Sequence, residues 1–97
     1  ISKEDVRRAL RQVMHPEINH SLVDLGMIKN VIATENKVML TLMLPFMYIP
    51  IKEELIRSVK EAITKLNADV NVEIKIAEMN QEERARFMSM ARKAWIR

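Results

Sequence analysis

Four polar side chains in one short stretch, His15, Glu17, His20 and Asp24 of HPEINHSLVDLGM, are the densest group of potential metal ligands in the sequence. Two imidazoles and two carboxylates could bind zinc or iron, or move protons. Their spacing is not the i, i+4 pair that sets two histidines on one helical face, and Pro16 interrupts regular structure between them. A metal site needs three or four converging ligands with supporting partners. The stretch reads first as a polar loop. A metal or cluster carrier using His15, Glu17 and His20 is the alternative.

Other chemistry finds fewer parts. No serine or threonine stands at a recognisable spacing from a histidine base and an acidic partner. A single glycine, Gly26, cannot build a phosphate-cradling loop. The chain has no cysteine, which excludes disulfides, thiolate catalysis and Cys-ligated zinc or iron–sulfur sites within it. A non-catalytic protein without a cofactor of its own is expected. Met39, Met43 and Met47 recur every fourth residue, but on a strand and loop that is no stripe. They read as core filling, with an adaptable binding surface as the rival.

The elements that would position these residues follow from periodicity. Ser2 and Asp5 make a helix start, and Val6, Ala9, Leu10, Val13 and Met14 an apolar face that Pro16 ends near Met14. Met27–Thr34 and Lys37–Leu44 predict a β-hairpin turning at Glu35-Asn36-Lys37. The second strand is apolar on both sides, which marks a central strand with both faces covered. In LMLPFMYIP (42–50) the strand runs out and Pro50 opens a helix whose stripe ends near Asn67. Val70, Val72, Ile74 and Ile76 alternate with polar residues as a half-buried strand. Asn80 and Glu83 form a capping box before a last helix with Phe87, Met90, Ala91, Ala94 and Trp95 on one side.

The order α-β-β-α-β-α predicts an α+β fold, a compact domain with a small mixed sheet of about three strands and helices packed on one face. Its 97 residues, 48% apolar and 30% charged, suit one soluble domain with one core. Residues 1–79 form that domain and residues 80–97 a basic amphipathic helix, docked on the sheet, on a partner or on a following domain. The domain carries eleven Lys/Arg and eleven Asp/Glu, so the whole net charge of +3 lies in residues 80–97. That placement argues against a general nucleic-acid groove. The longest apolar run, Val38–Ile51, is too short to cross a bilayer. The charged opening is not a signal peptide, and a cytoplasmic location is expected. Because the chain starts at Ile1 rather than Met, an upstream piece is expected to have been trimmed.

The stretch HPEINHSLVDLGMI resembles the MIP-eighteen family, the small iron–sulfur assembly domain of SufT-like and PaaD-like proteins. The same domain forms the N-terminal part of Mrp-type P-loop ATPases. Pro16 and Glu17 match the family's Asp-Pro-Glu, with His15 where the family has Asp. Val23, Asp24, Leu25, Gly26 and Ile28 match its Val-Asp-Leu-Gly-Leu-Ile stretch, with Met27 for Leu. The resemblance covers about residues 4–77 and implies the same order of elements. If Pro45 aligns with the proline of the family's Thr-x-Pro-x-Cys-Pro-like loop, Met47 stands at its cysteine, and a thioether can neither ionise nor bridge iron.

The resemblance implies an accessory or adaptor role in iron–sulfur cluster assembly, through contacts with scaffold, carrier or apo-target proteins. A cluster would be met only transiently, through those partners. The candidate functional surface is His15, Glu17, Asp24, Gly26, Pro45, Phe46 and Met47. Gly26 fits a left-handed turn, and Asp24 could accept bonds from backbone N–H groups of its loop or of the following helix. The alternatives are a regulatory N-terminal domain of a longer Mrp-like ATPase and the small carrier named above. An oligomer is possible, a membrane partner is not expected, and nucleic-acid binding is the least supported role.

Overall fold

The structure, a computed structural model, describes residues 2–95. Its elements run α1 (Lys3–Leu10), β1 (Ile28–Ala33), β2 (Lys37–Leu44), α2 (Lys52–Thr64), β3 (Asn71–Glu78) and α3 (Gln81–Ala94). The sheet order is β1-β2-β3, antiparallel between β1 and β2 and parallel between β2 and β3. The central place of β2 follows from its two apolar sides. A parallel neighbour requires a crossover, and α2 supplies it.

Register puts Val38, Leu40, Leu42 and Leu44 on one face, beside Val72, Ile74 and Ile76 of β3. These four β2 residues are almost wholly buried, together with Val6 and Leu10 of α1 and Leu55, Val59 and Ile63 of α2. The opposite face departs from the expectation of full cover. Met39 and Thr41 are only half-buried, Ile32 beside Met39 is 54% exposed, and Met43 alone is buried. Helices α1 and α2 pack on the other face, and on this one α3 reaches the sheet through the ion pair of its Glu83 with Lys29, opposite Thr41.

The first helix starts as its sequence predicts, with the Ser2 hydroxyl accepting from Asp5 N–H at 3.1 Å. It stops at Leu10, four residues earlier than Met14. Residues 13–15 leave the helix because they pair with residues 20–22: Leu22 N–H donates to Val13 O at 2.9 Å and His15 N–H to His20 O at 3.0 Å. Those bonds satisfy backbone groups that a further helical turn would have used internally. A compact excursion results, running from Met14 to Ser21 and closed at its base by their mutual bridge.

The turn after it holds Gly26 at φ 76°, with Gly26 N–H donating to Val23 O. No atom lies within 4 Å of where a Cβ would sit, so glycine is favoured here by backbone conformation and not by crowding. The helix α2 begins without a side-chain cap, Glu53 and Glu54 in its first turn being the acids that suit a helix N-terminus. The helix α3 begins with the predicted capping box, Asn80 and Glu83 bonding reciprocally at 2.8 and 2.9 Å.

Candidate functional site

The 14–21 excursion and the 45–51 loop lie side by side, and α3 crosses both. Each end of α3 is fixed to a different loop. Near its start, Arg84 Nε donates to Pro45 O at 2.7 Å, and its Nη2 donates to Met79 O at 3.0 Å and to Glu78 Oε2 at 3.1 Å. The same guanidinium sits 5.2 Å from the Phe46 ring centroid, a cation–π contact. At its far end, Ala94 O accepts from Asn19 N–H at 2.8 Å, and Trp95 bridges to Ile18. The helix thus docks chiefly on loops, through Phe87 and Ala91, its two buried side chains.

Between these three segments is a cavity of about 310 Å³ with mostly apolar walls. His15, Glu17 and Ile18 supply one side, Pro45, Phe46 and Ile49–Ile51 the floor and mouth, and Phe87, Met88 and Trp95 the other side. A larger and more open hollow of about 470 Å³ lies between α1 and α2, where Gln12, Ser58, Glu61 and Lys65 stand among apolar side chains.

His15 is the polar group built into the apolar cavity. It is 5% exposed, and its ring lies tilted against Phe87 with centroids 6.3 Å apart. Its Nδ1 accepts from Glu17 N–H at 3.0 Å. A backbone N–H can only donate, so the neutral ring must carry its proton on Nε2. Burial pushes its pKa below 6.5, opposed by the Glu17 and Glu54 carboxylates. The imidazole is therefore neutral at neutral pH, an Nε2–H donor on a cavity wall.

The predicted site residues separate into two groups. His15, Glu17, Pro45 and Phe46 converge on the cavity, whereas Met47, Asp24 and Gly26 do not line it. The expectation that Asp24 holds its loop through its carboxylate is corrected. The contact runs the other way, with Asp24 N–H donating to the hydroxyl of buried Ser21 at 3.1 Å. The Ser-x-x-Asp pattern at 21–24 carried that signal. The N-terminus of α2, the alternative partner given for Asp24, carries no side-chain cap. His20 meets His15 through its carbonyl, not its imidazole. Sequence reasoning missed Arg84, Phe87 as a wall of this site, and Trp95 as a tie to Ile18. Arg84 bonds across 39 residues, a distance at which no local pattern gives warning.

A family profile described as "Iron-sulfur cluster assembly protein" matches residues 3–75. The chain belongs to that family. Its fold is similar to a DUF59 domain of unknown function from Bacillus anthracis, at 20% identity and TM-score 0.73, over 92% of this chain and 91% of that one. It is also similar to a conserved hypothetical protein from Thermotoga maritima, at 25% identity and TM-score 0.70, over 90% of this chain and 94% of that one. No curated protein matches the chain significantly. The family profile ends before α3, the helix that walls the cavity.

The side chains present do not fit a resident iron–sulfur cluster or metal ion. The chain has no thiol, and Met47 is 37% exposed and outside the cavity walls. For His15 Nε2 to ligate a metal, its proton would have to move to Nδ1 and the Glu17 bond would break. Among the described residues no three His, Asp or Glu side chains are grouped to hold an ion. No helix of the described residues is long and apolar enough to cross a membrane.

Proposed function

We propose that this chain is a non-catalytic accessory domain in iron–sulfur cluster assembly, acting through protein contacts at the mouth of the α3 cavity. One observation carries the reading. Of the eight exposed large apolar side chains among the described residues, five (Phe46, Met47, Tyr48, Met88 and Trp95) lie on the cavity walls or on the loop forming its floor. Tyr48 is 97% exposed. Grouped apolar exposure of this kind marks an interaction site, whereas scattered single residues would not. The partners are scaffold, carrier or apo-target proteins of the assembly route. A cluster is their cargo, met transiently, and the SufT-like or PaaD-like members of the family are the expected functional kin.

The test is genetic and biochemical together. In cells lacking the gene, the activity of iron–sulfur enzymes should fall while their polypeptide levels hold. A double Tyr48→Ser, Trp95→Ser variant should fail to restore activity although it folds. Full iron–sulfur enzyme activity without the protein would sink the proposal.

A further inference from the structure

Within that surface, and resting on the reading that it docks proteins, we propose that the cavity seats one large apolar side chain of a partner polypeptide, whose adjoining backbone carbonyl accepts a hydrogen bond from His15 Nε2–H. Three features of the cavity define this occupant.

The first is an unspent donor. His15 Nδ1 is taken by Glu17 N–H, and Nε2–H has no hydrogen-bond partner among the described residues and keeps its access to the cavity. That donor is open to an incoming acceptor, which would take the place of water at the cavity wall. The second is the sign of the local field. The carboxylates of Glu17 and Glu54 both act on the imidazole. They would repel an anionic acceptor, and the Arg84 guanidinium over Phe46 is already paired with Glu78, which together favour a neutral carbonyl. The third is size and surroundings. About 310 Å³ accommodates an aromatic or long aliphatic side chain between Phe46, Phe87 and Trp95. Met47 and Tyr48 extend the apolar surface beyond the mouth, farther than a small molecule within the cavity would cover. A polypeptide covers both. It also supplies a neutral carbonyl beside every side chain it inserts, so the seat and the donor are used by one residue of the partner.

The experiment is an NMR titration of the full, isotopically labelled chain with three probes. N-acetyl-L-phenylalanine amide has the ring and neutral carbonyls, N-acetyl-L-phenylalanine adds a carboxylate at neutral pH, and toluene has the ring alone. The amide is expected to shift Phe46, Ile51, Phe87, Met88 and Trp95 and to move the His15 Nε2–H resonance downfield. It should bind about 3- to 10-fold tighter than toluene, the worth of one net hydrogen bond, and tighter than the carboxylate. In His15→Phe the ring contact with Phe87 is kept and the margin of amide over toluene should vanish. Should that variant not fold, the Nε2–H shift in the wild type decides by itself. The proposal is overturned if the amide leaves the cavity residues and Nε2–H unmoved, if the carboxylate binds better, or if the margin survives in His15→Phe. Loss of iron–sulfur enzyme activity in cells without the gene, alongside no amide binding, overturns only this seat. Amide binding alongside intact iron–sulfur enzymes leaves the seat standing and removes the accessory role.

Discussion

His15 shows how one neighbour fixes a residue's chemistry. Without the Glu17 N–H on Nδ1, the ring could present either nitrogen, and a metal would be as acceptable as a carbonyl. With that bond at 3.0 Å the neutral ring is a donor at Nε2. The same residue predicts a pH dependence. Unfolded, the imidazole titrates near 6.5; folded, burial holds its pKa lower. Between those two values the unfolded chain takes up a proton that the folded chain refuses. Stability from this residue is complete above pH 6.5 and is lost as pH falls through the folded value, at most about 1.4 kcal/mol per pH unit. Urea midpoints measured from pH 7.5 to 5 should fall in the wild type and fall less in His15→Gln. The sequence showed His15, Glu17, Pro45 and Phe46 as candidates because a polar loop and a proline-broken strand end are visible locally. It could not show that Met47, next along the same loop, would fall outside the cavity walls.

At the scale of elements, α3 is the part least tied to the sheet. Its attachments are the Lys29–Glu83 ion pair, the Arg84 contacts, the Phe87 and Ala91 burial, the Asn19–Ala94 bond and the Ile18–Trp95 bridge just past its end. Arg84→Met keeps the alkyl stem but strips the donors from the Pro45 and Met79 carbonyls. It should cost about 1–3 kcal/mol, the usual penalty for part-buried acceptors left unmatched. Hydrogen exchange should quicken in α3 and residues 45–50 while β2 stays protected; equal acceleration throughout would show that α3 folds as one unit with the sheet. The elements also differ in how far they could be read in advance. Lys37–Leu44 was bounded correctly because apolar residues on both sides and a polar turn are local signals. The end of α1 was not, because a pairing between residues 13–15 and 20–22 competes with helix periodicity and wins.

At the scale of the whole molecule, the core is one cluster organised around β2. Leu42 stands between Ile28 of β1 and Ile76 of β3 and is fully buried. Leu42→Ala should cost about 2–5 kcal/mol, a large share of the ~5–15 kcal/mol that holds a domain of this size. Chemical denaturation would show it as a lower midpoint with little change in slope. By itself the sequence determined the class and order of elements, the central strand, the capped helix starts and the absence of a thiol. Each of these depends on residues close together in the chain or on composition. Only the tertiary structure decided that α3 lies across the two loops and, with Arg84 and Trp95, makes a cavity where His15 points a proton outward. Those contacts join residues that are distant along the chain, and nothing in local periodicity says which apolar face a short amphipathic helix will choose.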